Sequence, residues 1–158
     1  MIGKIAIVYL LVFTGLPVRA QLGKPVAITA LADSMRINPK PILLLISTDW
    51  CKYCGMQKAL LKKNKDFQSA KDGFYHLELN AETRDSIIFN GKIYHYKNNG
   101  ATTGIHELAV ALGDQKGGVG YPTWVLLDNK YKVLFRRNGV LAPKELKIVL
   151  NAIEEINR

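Results

Sequence analysis

Two cysteines, Cys51 and Cys54, stand three positions apart just behind an apolar run, and this placement constrains the fold more than anything else in the 158 residues. Ile42-Leu43-Leu44-Leu45-Ile46 carries no polar side chain. Asn38-Pro39-Lys40-Pro41 before it is a turn, because each proline disfavours helix in the residue that precedes it. A short, bounded apolar run fits a strand buried on both faces, as in a parallel sheet. Ser47-Thr48-Asp49 then supplies N-cap side chains. Gly55 to Lys65 reads as a helix with Met56, Ala59, Leu60 and Leu61 inward and lysines outward. The cysteine pair therefore falls where a buried strand hands over to a helix.

That position has chemical consequences. A thiolate at a helix N-terminus faces unpaired backbone N–H groups and the positive end of the dipole, which lowers its pKa. Cys51 takes this place, and Cys54, one turn later, comes close enough to bond with it. A disulfide closing so small a loop removes little chain entropy and makes a poor staple. It makes a better two-electron switch, since a neighbouring thiol resolves a mixed disulfide. A structural disulfide and a thiol metal site stay open as rivals. Two cysteines exclude a four-cysteine zinc site, and His76, His95 and His106 are scattered along the chain. A c-type haem site needs histidine directly after the second cysteine, where Gly55 stands.

The remaining segments read as follows. Val26 to Met35 is a short amphipathic helix and Phe74 to Leu79 a strand. Ile87-Ile88-Phe89 and Lys92 to Tyr96 form a hairpin across Asn90-Gly91. Ile105 to Leu112 is a helix ended by Gly113 and Gly117-Gly118. Trp124 to Asp128 and Tyr131 to Arg136 are antiparallel strands around Asn129-Lys130. Pro143 opens a last helix, Lys144 to Ile156, with Leu146, Val149, Leu150 and Ile153 on one stripe. Strand-helix-strand, an excursion, then strand-strand-helix is an α/β order within one domain.

Residues 1–20 have the order of a secretory signal. Lys4 precedes the apolar stretch Ile5 to Phe13, Gly15 and Pro17 interrupt it, and Val18-Arg19-Ala20 leads to Gln21. The run is too short to span a bilayer. We expect a cleaved leader and a periplasmic or otherwise exported domain over 21–158, touching a membrane only through the leader if that stays uncleaved. Loss of Lys4 and Arg19 lowers the formal charge from +9 to +7. The remaining basic residues form no arginine-rich helix and no basic-aromatic interleave, so nucleic acid is not an expected partner.

Trp50-Cys51-Lys52-Tyr53-Cys54 behind an apolar strand resembles the thioredoxin superfamily. Gly120-Tyr121-Pro122-Thr123, just before the strand at Trp124, is similar to the segment that carries a cis proline in that family. The resemblance covers about residues 40–157 and includes Gly139 after the last strand. It implies a thioredoxin-like fold, a central mixed sheet flanked by helices. It implies an exported thiol–disulfide oxidoreductase, in the reductase or isomerase direction, that needs no cofactor. Cys51 would be the nucleophile and Cys54 the resolving thiol, with Trp50 and Pro122 packed beside them. Tyr121, Thr123, Lys52 and Tyr53 would meet the substrate, with the backbone of Tyr121 presented to a bound chain. The implied partners are disulfide-containing proteins and an electron-donor thiol protein. A non-catalytic binding module of the same fold is the alternative of a different class.

Two departures stand out. The family places a buried aspartate six residues before the first cysteine, and Leu45 stands there. Lys58, Glu78 and His76 are the candidates to tune the thiols in its place. The chain is also longer than a minimal thioredoxin, with an insertion of about 83–119 before the proline strand. Its Phe89-Asn90-Gly91-Lys92-Ile93-Tyr94 and His106-Glu107-Leu108-Ala109 segments resemble exported thioredoxin-like proteins of Bacteroidetes type. The insertion is expected to extend the core as an extra hairpin and helix, with a lid or docking rim as the alternative. His106 is expected to cap or pair with local groups.

Overall fold

The computed structural model describes residue 25 and residues 27–116 and 118–158, so the leader, Val26 and Gly117 lie outside the described residues. The element order is α1 (Leu31–Ile37), β1 (Ile42–Ser47), α2 (Lys52–Lys63), α3 (Lys65–Ala70), β2 (Tyr75–Asn80), β3 (Ile87–Phe89), β4 (Lys92–Tyr94), β5 (Tyr96–Asn98), β6 (Gly104–His106), α4 (Glu107–Gly113), β7 (Thr123–Leu127), β8 (Val133–Asn138) and α5 (Pro143–Ile156).

The main sheet has the order β2-β1-β7-β8. β2 runs parallel to β1, while β1/β7 and β7/β8 are antiparallel. It is the mixed sheet flanked by helices that the sequence predicts. Because side chains alternate along a strand, the apolar β1 divides itself between two cores. Ile42, Leu44 and Ile46 face one with α1, and Leu43 and Leu45 face the other with α2, α3 and α5. Every residue of β1 is buried, as expected of a central strand covered on both sides.

The insertion supplies Ile87, Phe89, Leu108, Ala109 and Leu112 to the α1-side core, so it extends the core. Its first hairpin pairs Ile87 with Tyr94 and Phe89 with Lys92. Asn90 and Gly91 both take positive φ, 49° and 73°, as a two-residue hairpin turn requires.

Several element boundaries differ from the sequence reading. α2 begins at Lys52 instead of Gly55, because Cys51 itself caps it, and Ser47-Thr48-Asp49 do not. It ends at Lys63 instead of Lys65, because the side chain of Asn64 accepts the Phe67 N–H at 2.8 Å and starts α3. Its inward face is Cys54, Gln57 and Leu61, while Met56, Ala59 and Leu60 are exposed. α1 is entered through a 3₁₀ turn at Ile28–Ala30 and continues two residues beyond Met35. The strand expected to run through Tyr96 stops at Tyr94, and Tyr96–Asn98 pairs with Gly104–His106 instead. Ile105 is therefore in a strand, and α4 starts at Glu107. β8 starts at Val133 because the Asp128 carboxylate accepts N–H groups from Lys130 and Lys132, which prolongs the turn through Tyr131.

Candidate active site

The cysteines lie at the end of the sheet where β1 and β2 finish and β7 begins. They are bonded to each other, with Cα atoms 5.2 Å apart. Cys51 has extended backbone and acts as N-cap of α2, its Sγ accepting the Cys54 N–H at 3.1 Å. An N-cap serves N–H groups that have no partner inside the helix. In this geometry the Cys51 sulfur already faces that N–H and the positive end of α2, an arrangement that favours charge on it. Exposure separates the two sulfur residues: Cys51 keeps 8% and Cys54 1%. Cys51 is therefore the more accessible of the two to an incoming group.

The Tyr121-Pro122 peptide is cis, and Thr123 after it pairs with Ile46 of β1, which sets this segment at the same end of the sheet as the cysteine loop. The Tyr121 ring meets the Trp50 ring edge-on at 5.9 Å. Among the described residues, no hydrogen bond engages the Tyr121 backbone. Burial first, and the Glu82 carboxylate second, push the Tyr121 phenol above its ordinary pKa. Thr123 was expected at the substrate face. Its side chain is instead fully buried, with the hydroxyl 2.6 Å from the Gly120 carbonyl oxygen and 2.5 Å from Asn138 Oδ1. Asn138 Oδ1 also accepts from Gln115 at 3.0 Å, and the Gly139 N–H donates to the Pro122 carbonyl at 2.7 Å. Gly139 has φ +95°, a conformation that favours glycine. The end of β8 thus holds the proline segment from behind.

A second group of contacts holds the cysteine loop from the β2 side. The Trp50 indole N–H donates to the two Glu82 carboxylate oxygens at 3.0 and 3.2 Å. Asn80 donates to Asp49 at 3.0 Å and accepts the Glu82 N–H at 2.9 Å. The Ala81 N–H donates to the Ser47 carbonyl, and the Ala81 carbonyl accepts from His106 N–H at 2.7 Å. His106 is fully buried, and its Nδ1 accepts the Leu108 N–H at 3.2 Å. It caps α4 as expected and ties the insertion to the segment that positions Trp50.

Lys58, Glu78 and His76 are brought together with one another along the β2 flank of α2. Lys58 Nζ lies 2.8 Å from Glu78 Oε2. His76 packs edge-on against Phe67, and its buried Nε2 has no hydrogen-bond partner among the described residues. Burial, with Lys71 and Lys58 adding to it and Glu78 opposing it, pushes His76 down to about 4. The three line a groove of about 350 Å³ that the cysteines do not line. Leu45 is fully buried, with Glu78 and Trp124 as its cross-strand neighbours. Lys52 and Tyr53 are exposed on the first turn of α2.

Sequence reasoning missed Glu82, Asn80, Asn138 and Gln57. Gln57 is fully buried and accepts the Leu141 N–H at 2.7 Å, joining α2 to the chain after β8. One signal pointed to Asn80-Ala81-Glu82: it lies at the carboxyl end of a parallel strand, where sites of α/β sheets gather.

Residues 30–154 match the thioredoxin-like domain family. No curated protein matches the sequence at a significant level. Among solved structures, the chain is similar to a thioredoxin-fold protein from Helicobacter pylori, with a TM-score of 0.56 and 23% identity over 75% of this chain and 71% of that one. It is similar to a DsbH oxidoreductase, with a TM-score of 0.56 and 17% identity over 88% and 90%. It is also similar to a disulphide isomerase from Xylella fastidiosa Temecula1, with a TM-score of 0.50 and 19% identity over 79% and 86%. At these identities the likeness is one of fold.

Proposed function

The chain belongs to the thioredoxin-like domain family, and from that premise we propose that it is an exported thiol–disulfide oxidoreductase of the Bacteroidetes type, acting in the reductase or isomerase direction. The observation that carries this reading is Cys51 as N-cap of α2, with Cys54 one turn below it and less exposed. In the reduced protein, the Cys51 thiolate attacks one sulfur of a substrate disulfide. That bond breaks, one substrate thiolate leaves and takes a proton from solvent, and a mixed disulfide remains on Cys51. Cys54 loses its proton and attacks the Cys51 sulfur, so the internal disulfide forms and the second substrate thiolate leaves. Two electrons pass from protein to substrate, and a donor dithiol protein must return them. The Tyr121 backbone is open to pair with a bound chain, and Lys52 and Tyr53 border the approach.

Equilibration in thiol redox buffers tests the reading. A two-electron couple above about −300 mV with fast exchange supports it. A lower potential with slow exchange identifies a structural bond and a binding module. Export rests on the order of residues 1–20, and N-terminal sequencing of protein from the periplasmic fraction should begin at Gln21. Retention of Met1 in a cytoplasmic fraction would contradict export.

A further inference from the structure

The outward face of α2 is more apolar than solvation calls for. Met56 is 47% exposed, Leu60 37%, and Tyr53, next to the disulfide, 67%. Hydrophobic periodicity assigns Met56 and Leu60 to the core, yet the core takes Cys54, Gln57 and Leu61. A residue that departs from the folding pattern without a packing reason points to a use outside folding. Tyr53, Met56 and Leu60 stand at i, i+3 and i+7, so they form one row along the helix. The row leads from the disulfide to a pocket of about 190 Å³, where Leu60 and Lys63 meet Leu141, Pro143 and Leu146 at the start of α5.

Charge indicates the occupant. α2 carries Lys52, Lys58, Lys62 and Lys63 and no acidic residue. Lys58 is paired with Glu78 on the opposite flank. Lys52 and Lys63, beside the apolar row, make no ion pair among the described residues. We propose that the Tyr53–Met56–Leu60 row and its end pocket form a docking groove for an amphipathic segment of a partner protein, apolar on one face and acidic at its flanks. The groove begins at Cys51, so the docked partner's own disulfide or thiol is held within reach of that sulfur. An end pocket fits an apolar side chain better than it fits a bilayer surface, which argues for a peptide segment over a membrane. This proposal rests on the redox reading for the partner's identity as a thiol or disulfide protein.

The test uses two synthetic amphipathic peptides with the same leucine face, one flanked by glutamates and one by lysines. Each bears a terminal cysteine disulfide-linked to a chromophoric aromatic thiol. The reduced full domain should release the chromophore faster from the acidic peptide, and raised salt should remove the difference. Met56→Ser/Leu60→Ser should slow exchange with the acidic peptide about tenfold and leave a small uncharged disulfide unaffected. Lys63→Glu should favour the basic peptide. Equal rates for both peptides, or a double variant with unchanged rates, would overturn the groove. Anisotropy of a cysteine-free acidic peptide on the oxidised protein reads docking without redox chemistry, so failure of the redox reading alone would leave that binding in place. Binding to anionic vesicles, abolished by Met56→Ser/Leu60→Ser and without preference between the peptides, would assign the face to a membrane and also overturn the proposal.

Discussion

The indole N–H of Trp50 is held by both carboxylate oxygens of Glu82, at 3.0 and 3.2 Å, while its ring meets Tyr121 edge-on. The residue in front of Cys51 is therefore fixed from two sides by segments that lie far apart in the chain. Glu82 is itself held by Asn80, which also binds Asp49, so the loop before Cys51 hangs on the C-terminal end of β2.

Removing that carboxylate should loosen Trp50 without unfolding the protein. The bond lies at the surface, so Glu82→Ala should cost less than about 1 kcal/mol. Acrylamide quenching separates the two tryptophans, because Trp50 is 66% exposed and Trp124 fully buried. The quenching constant of Trp50 should rise in Glu82→Ala while Trp124 stays protected. An unchanged constant would show that Tyr121 alone holds the ring.

Asn138 should act on the proline segment from behind. Asn138→Ala leaves the Thr123 hydroxyl with the Gly120 carbonyl alone and releases Gln115. A loss of about 1 kcal/mol in urea unfolding is expected. The KM for a protein disulfide should rise while the rate with a small disulfide holds, because the proposed pairing with the Tyr121 backbone involves only the larger substrate. An equal fall for both substrates would contradict a positioning role.

Stability should fall as the medium turns acidic, with His76 as a named contributor. Its folded pKa is pushed down to about 4, below the ordinary 6.5, so the unfolded chain binds the proton more readily. The contribution is fully present above pH 6.5 and is lost progressively from there down to about pH 4. Its ceiling is about 3 kcal/mol. Urea midpoints of the native protein and His76→Gln at pH 7 and pH 4.5 check this. The drop should be smaller in the variant, and equal drops would remove His76 from the account.

What the sequence made legible follows the range of the interactions. β1 was visible because five apolar residues between turns suit few other places. The cysteine pair was visible because its chemistry lies within a few residues, and Pro122 through the likeness of Gly120-Tyr121-Pro122-Thr123 to the cis-proline segment of the thioredoxin superfamily. The hairpin at Asn90-Gly91 was visible because its turn needs two positive-φ residues. The inward face of α2 was misread because Met56, Ala59 and Leu60 are as apolar as core residues. Which side turns inward is set by Cys54 and Gln57, and Gln57 answers to Leu141, 84 residues away. Glu82 and Asn80 act on Trp50 and Asp49 across 32 and 31 residues, and Asn138 acts on Thr123 across 15. No local pattern marks such contacts, and the β5–β6 pair stayed hidden because short strands of mixed polarity carry little periodicity.

The division of labour between the two thiols is tested most directly by trapping. Reduced Cys54→Ser protein is mixed with a protein disulfide, quenched with acid, and digested for mass spectrometry. We expect a stable mixed disulfide on Cys51, and none in Cys51→Ser under the same conditions. A Cys51→Ser protein that still reduces the substrate, or a Cys54→Ser protein that forms no adduct at Cys51, would contradict the assignment of Cys51 as nucleophile.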